Sequence, residues 1–96
     1  MSDISTLSSV ATQLMGGDHV EVEGQLHVRR TSTGRFRTVN FLMAGHEFAA
    51  IEQNPTKPSQ WGQLARSGHQ VVQFKDVQTS RFVAVAVDGE VRDYGA

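Results

Sequence analysis

Six consecutive residues, Phe82-Val83-Ala84-Val85-Ala86-Val87, carry no polar side chain at either parity. Their β-branched content reads as a strand, and a strand that is apolar on both faces has to be covered on both. A strand with one wet face alternates instead. This run therefore excludes a bare single-layer sheet and asks the rest of the chain for a cover on each side. Arg81 and Asp88 bracket the run as charged guards against aggregation. Asp88-Gly89 is the strongest hairpin turn in the chain, and it leads into a further strand over Glu90–Tyr94.

One cover is predicted just upstream. Pro55 and Pro58 fix φ and remove two backbone donors, so no strand runs through Asn54–Gln60. Ser59 suits a helix N-cap, and Trp61, Leu64 and Ala65 follow at the spacing of one apolar face. Arg66 fits the last turn and Gly68 the left-handed stop, with His69 placed to bond the last carbonyls. A helix over 59–67 is too short to stand alone and has to be docked on a sheet, which puts Trp61 in the core. Pro55-Thr56-Lys57-Pro58 also matches the PxxP spacing of polyproline ligands, but beside a helix start it reads as a rigid connection. The second cover is an N-terminal helix, a curl of the sheet or a second subunit. Ile4, Leu7, Ala11 and Leu14 recur at helical spacing, Ser2 or Asp3 can cap them, and Gly16-Gly17 ends the segment.

Between these helices the period changes to two. Val20, Val22, Leu26 and Val28 alternate with polar residues as one half-buried strand, with Gly24 in phase as a bulge or tight turn. Thr31-Ser32-Thr33-Gly34 reads as a turn into a strand over Phe36–Met43 that places Val39, Phe41 and Met43 on one face. Ala44-Gly45 allows a tight hairpin into a strand over His46–Gln53. After the short helix, Val71, Val72 and Phe74 mark a strand over His69–Lys75, and Asp76–Ser80 is a polar connection into the apolar run. The expected fold is a single α+β domain over 1–96, with an N-terminal helix or arm at 1–17 and three-strand meanders at 19–53 and 69–94 flanking the 59–67 helix. About six short antiparallel strands result, in a curled sheet or a partly open barrel. In strand count alone the latter resembles SH3-like barrels, a likeness that carries no function.

The 96 residues hold no cysteine, which excludes a disulfide framework, thiol catalysis and thiolate metal sites, and fits a cytoplasmic setting. Residues Met1–Met15 contain no Lys or Arg and no continuous apolar run, so no signal peptide is expected, and no segment has the length of a membrane span. His46-Glu47-Phe48-Ala49-Ala50 starts like a zinc-protease helix but has Ala50 where the second His belongs. No GxSxG elbow, Walker loop or GxGxxG is present. His19, His27, His46 and His69 never pair as HxH or HxxxH, although His19 and His27 would share a strand face with Glu21 and Glu23. A non-enzymatic domain with no catalytic, cofactor-binding or metal site is expected.

One charge pattern stands out. Residues 1–28 carry four acids and no Lys or Arg, and then Arg29, Arg30, Arg35 and Arg37 follow within nine positions without an acid. On a hairpin tip, with Phe36 beside them, these arginines form the candidate partner-binding group, able to grip phosphates or stack a base. Net charge is −1, so no global field gathers nucleic acid, and pairing with Glu21 and Glu23 is the plainer role. The sequence thus predicts a binding or regulatory domain that docks another protein, with homodimerisation as a further expectation. The alternative is a nucleic-acid module using residues 29–37.

Overall fold

The computed structural model describes residues 3–16, 19–28, 38–52 and 59–92. Their order is α1 (Asp3–Gly16), β1 (His19–Val22), β2 (Gln25–Val28), β3 (Thr38–Met43), β4 (His46–Glu52), α2 (Gln60–Arg66), β5 (Val71–Asp76), β6 (Arg81–Val87) and β7 (Glu90–Arg92). The fold is α+β. Strands β3 to β7 lie side by side in chain order as a five-stranded antiparallel sheet, and β1 and β2 form a separate antiparallel pair. The larger sheet is not closed into a barrel. No described helix is long and apolar enough to cross a membrane.

Seven strands stand among the described residues where about six are expected, because the alternation over 19–28 is two strands and not one. Glu23 and Gly24 adopt φ of 52° and 78°, a tight turn with both central residues left-handed. Val22 then pairs with Gln25 and Val20 with His27. A two-residue turn joins even to odd positions across the hairpin, so the face reverses. Val20 and Val22 point into the core, whereas Leu26 lies 62% exposed on the other face with His19 and Glu21. His27 takes the inward place, and its buried Nε2 has no hydrogen-bond partner among the described residues. His19 and His27 thus lie on opposite faces of the hairpin, contrary to the shared face expected from spacing. The Ala44-Gly45 and Asp88-Gly89 turns have the same left-handed pairs, with φ of 53° and 77°, and of 53° and 87°.

The inner face of the sheet carries the main core. Val39, Phe41 and Met43 of β3 meet Ala50, Val72, Phe74, Ala84 and Ala86 from the neighbouring strands. Leu7, Val10, Ala11 and Leu14 of α1, with Val20 and Val22 of β1, cover them. Phe41 stacks on Phe48 at 5.8 Å and takes the edge of Phe74 at 6.2 Å. Polar side chains of α1 tether it to its neighbours. Ser8 donates its hydroxyl to the Gly89 carbonyl. The Gln13 amide bonds both backbone groups of Glu21, accepting from its N–H at 2.9 Å and donating to its carbonyl at 3.1 Å, as a neighbouring strand would.

The outer face is covered at one end by α2, whose Trp61, Leu64 and Ala65 pack on Val71, Val85 and Val87. Ser59 accepts from the Gly62 N–H at 3.1 Å, and Gly68 stops the helix at φ 97°. The Gly68 and His69 amides bond the Ala65 and Leu64 carbonyls in the paired pattern of a glycine-terminated helix. Ser59→Ala is expected to lower the urea unfolding free energy by about 1 kcal/mol with an unchanged slope. Residues 53–58, including Pro55 and Pro58, lie outside the described residues.

Candidate interaction surface on the outer sheet face

The apolar run that first demands two covers receives them over only part of its length. Ala84, Val85, Ala86 and Val87 are buried, alternating between the α1 side and the α2 side, but Phe82 is 49% exposed. The cause is a register shift. Phe74 pairs with Ala84, while Lys75 pairs with Phe82, so Val83 is an extra residue between two rungs. The shift turns Phe82 onto the outer face beside Lys75, away from the core beneath Ala84.

The registers carry that rung across the sheet. Lys75 is opposite Ala49, and Ala49 is opposite Asn40, giving one outer row of Asn40, Ala49, Lys75 and Phe82. The next row pairs Leu42 with Glu47, whose carbonyl accepts the Val77 N–H at 3.1 Å. Leu42 is 42% and Val77 36% exposed. Among the described residues, three of the five exposed large apolar ones thus share one end of one face, and the other two, Ile4 and Leu26, lie on α1 and the hairpin. Four adjacent strands span about 14 Å at ordinary strand spacing. Asn40 Nδ2 donates to Glu47 Oε2 at 3.1 Å and orients that carboxylate beside the apolar group. Among the described residues, no carboxylate lies within ion-pair distance of Lys75.

Two histidine–carboxylate pairs offer the remaining polar chemistry, and both tie down turns. His46 Nε2 donates to Asp76 Oδ2 at 2.8 Å, and Asp76 Oδ1 accepts the Gln78 and Thr79 amides at 2.9 and 3.4 Å. His69 Nδ1 donates to Asp88 Oδ2 at 2.8 Å, and Asp88 Oδ1 accepts the Gln70 amide at 2.9 Å. The His69 ring therefore serves the Asp88-Gly89 turn, and it is the backbone amide of His69 that bonds one of the last carbonyls of α2, that of Leu64, as expected from sequence. A crevice of about 140 Å³ between α1 and the sheet is lined by Thr12, Met15, Gln70, Val72, Asp88 and neighbouring backbone. It is below the roughly 300 Å³ at which small-molecule pockets begin, and both oxygens of Asp88 are already committed. Among the described residues, no three His, Asp or Glu side chains converge as metal ligands would.

Burial pushes the Asp76 carboxyl up, but the hydrogen bonds from His46, Thr79 and Gln78 and the nearby His46 outweigh it, leaving the pKa below the ordinary value. For Asp88 the His69 hydrogen bond and the Gln70 amide dominate over desolvation, again lowering it. A carboxyl lowered on folding stabilises the fold above its unfolded pKa, and the contribution is lost as pH falls through the folded value. Both contributions are therefore complete at neutral pH and fade below about pH 4. Asp88→Asn is expected to lower the urea midpoint at neutral pH and to flatten its decline in acid. A variant whose midpoint follows the parent at every pH would show that the turn does not depend on this carboxylate.

Of the residues singled out by sequence, Arg29, Arg30, Arg35, Phe36 and Arg37 lie outside the described residues. The described ends of that segment, Val28 and Thr38, belong to different sheets, and the described parts of β2 and β3 do not pair with each other. Glu23, a proposed ion-pair partner of the arginines, accepts from the Ala44 amide with both oxygens at 3.2 Å. Leu42, Val77 and Phe82 were not legible as a group, although Leu42 stands alone as an apolar residue at the polar parity of β3. No family model matches the chain, nor does any curated protein or solved structure.

Proposed function

We propose that this is a cytoplasmic, non-enzymatic binding domain that docks a protein on the outer face of its sheet, at Leu42, Val77 and Phe82. The carrying observation is that these three exposed apolar side chains are gathered on neighbouring rungs, with Asn40, Glu47 and Lys75 among them. Scattered surface hydrophobes are ordinary, whereas a grouped set with polar neighbours has the composition of a docking patch. The absence of cysteine supports the cytoplasmic setting, and the two His–Asp pairs are occupied with holding turns.

The test is affinity capture from native lysate with the parent chain and with the Leu42→Ser/Phe82→Ser double variant, each with and without nuclease. A partner retained by the parent, lost by the variant and indifferent to nuclease supports the reading. A partner kept by the variant removes it. One released by nuclease favours the alternative, in which Arg29, Arg30, Arg35 and Arg37 contact nucleic acid.

A further inference from the structure

We infer that the partner taken by this face is a second copy of the same chain, related by a two-fold axis, with Glu47 of each copy paired to Lys75 of the other. The inference rests on the docking reading above and specifies its occupant.

The face carries one acid and one base on neighbouring strands. Ala49 faces Lys75 across the β4–β5 ladder and Glu47 lies two positions from Ala49, so the two charges are diagonal neighbours on one face. A two-fold axis through the middle of that diagonal places each carboxylate against the other copy's ammonium, forming two equivalent pairs with no like charges opposed. Lys75 has no carboxylate in range among the described residues. Among the described residues Glu47 has Oε2 engaged, by Asn40, which holds the carboxylate in position, and none bonds Oε1. A patch with its own complement suits itself better than a partner of single-sign charge. The same symmetry brings Phe82, Leu42 and Val77 of the two copies together beside the pairs. Because each copy uses the same surface, association closes at two chains and does not propagate.

Light scattering on the full chain at tens of micromolar reads this directly. The parent is expected at twice the chain mass. Glu47→Lys and Lys75→Glu should each raise the dimer dissociation constant by about tenfold or more, since each opposes like charges in the desolvated interface. The double exchange Glu47→Lys/Lys75→Glu should restore dimerisation, because the pairs re-form with signs reversed. Phe82→Ser, at an exposed position that the fold does not need, should also give monomer. A monomeric parent throughout this range overturns the inference, as does a double exchange no better than either single change, or a dimer indifferent to Phe82→Ser. A monomeric parent whose captured partner is nevertheless lost in Leu42→Ser/Phe82→Ser leaves the docking face standing and removes only the second copy.

Discussion

Ala84→Asp is expected to remove several kcal/mol of stability, a large part of what a domain of this size possesses. Ala84 is 5% exposed, lies opposite Phe74 in the ladder and belongs to the inner core beneath α1. Its neighbours in that core are apolar, so a carboxylate there is either desolvated as a charge or forced to bind a proton, and both states are costly. Val85→Asp should be similarly damaging from the opposite side, because Val85 is 2% exposed beneath the apolar face of α2. Phe82→Asp, on the same strand, should change stability by no more than about 0.5 kcal/mol when all chains are melted at a concentration too low for dimerisation, since its place is at the surface of the single chain. Urea melts at equal slope decide between these outcomes. Comparable losses at Phe82 and Ala84 would mean that the register shift at Val83 does not turn the strand.

Phe74→Ala should cost about 3–5 kcal/mol, by the lost transfer energy of the ring and the cavity left behind. Phe74 is fully buried, and its edge contact with Phe41 at 6.2 Å is lost with it. The surrounding elements are the sheet, α1 and β1, and the Ser8 bond to the β6–β7 turn and the Gln13 bonds to β1 hold α1 in place and limit collapse into the space. Phe48→Ala is the control. Phe48 packs at the margin of the same cluster but remains partly exposed, so the loss should be clearly smaller. Equal losses at the two positions would place the centre of the core elsewhere.

The parts of the fold that were legible are those in which local chemistry decides. The Ser59 cap and Gly68 stop frame α2 within ten residues, and the Trp61, Leu64 and Ala65 face could be read without knowing what it covers. The alternation of Val39, Phe41 and Met43 gave the inner face of β3, and Asp88-Gly89 gave its hairpin. What sequence periodicity concealed was register. Gly24 falls in phase with Val22 and Leu26, so a turn that reverses the face looks like an uninterrupted strand. Phe82 sits in an unbroken apolar run, and only its rung opposite Lys75, one residue out of step with Phe74 and Ala84, brings it to the surface. The candidate face is assembled from β3, β4, β5 and β6 with the turn after β5. Leu42 and Phe82 are 40 positions apart, and no local pattern joins them. The arginines that drew attention by charge lie outside the described residues, so the surface argued from the structure is a different one.

Photo-crosslinking in living cells tests the docking face most directly. A benzophenone side chain replaces Phe82 in one variant and Leu26, the exposed apolar residue on the β1–β2 hairpin, in another. Position 82 is predicted to give a discrete covalent adduct with a protein, at twice the chain mass if the partner is a second copy. Position 26 is predicted to give none of comparable yield. No adduct from position 82, or the same adduct with equal yield from position 26, would contradict the assignment of the outer sheet face as the binding surface.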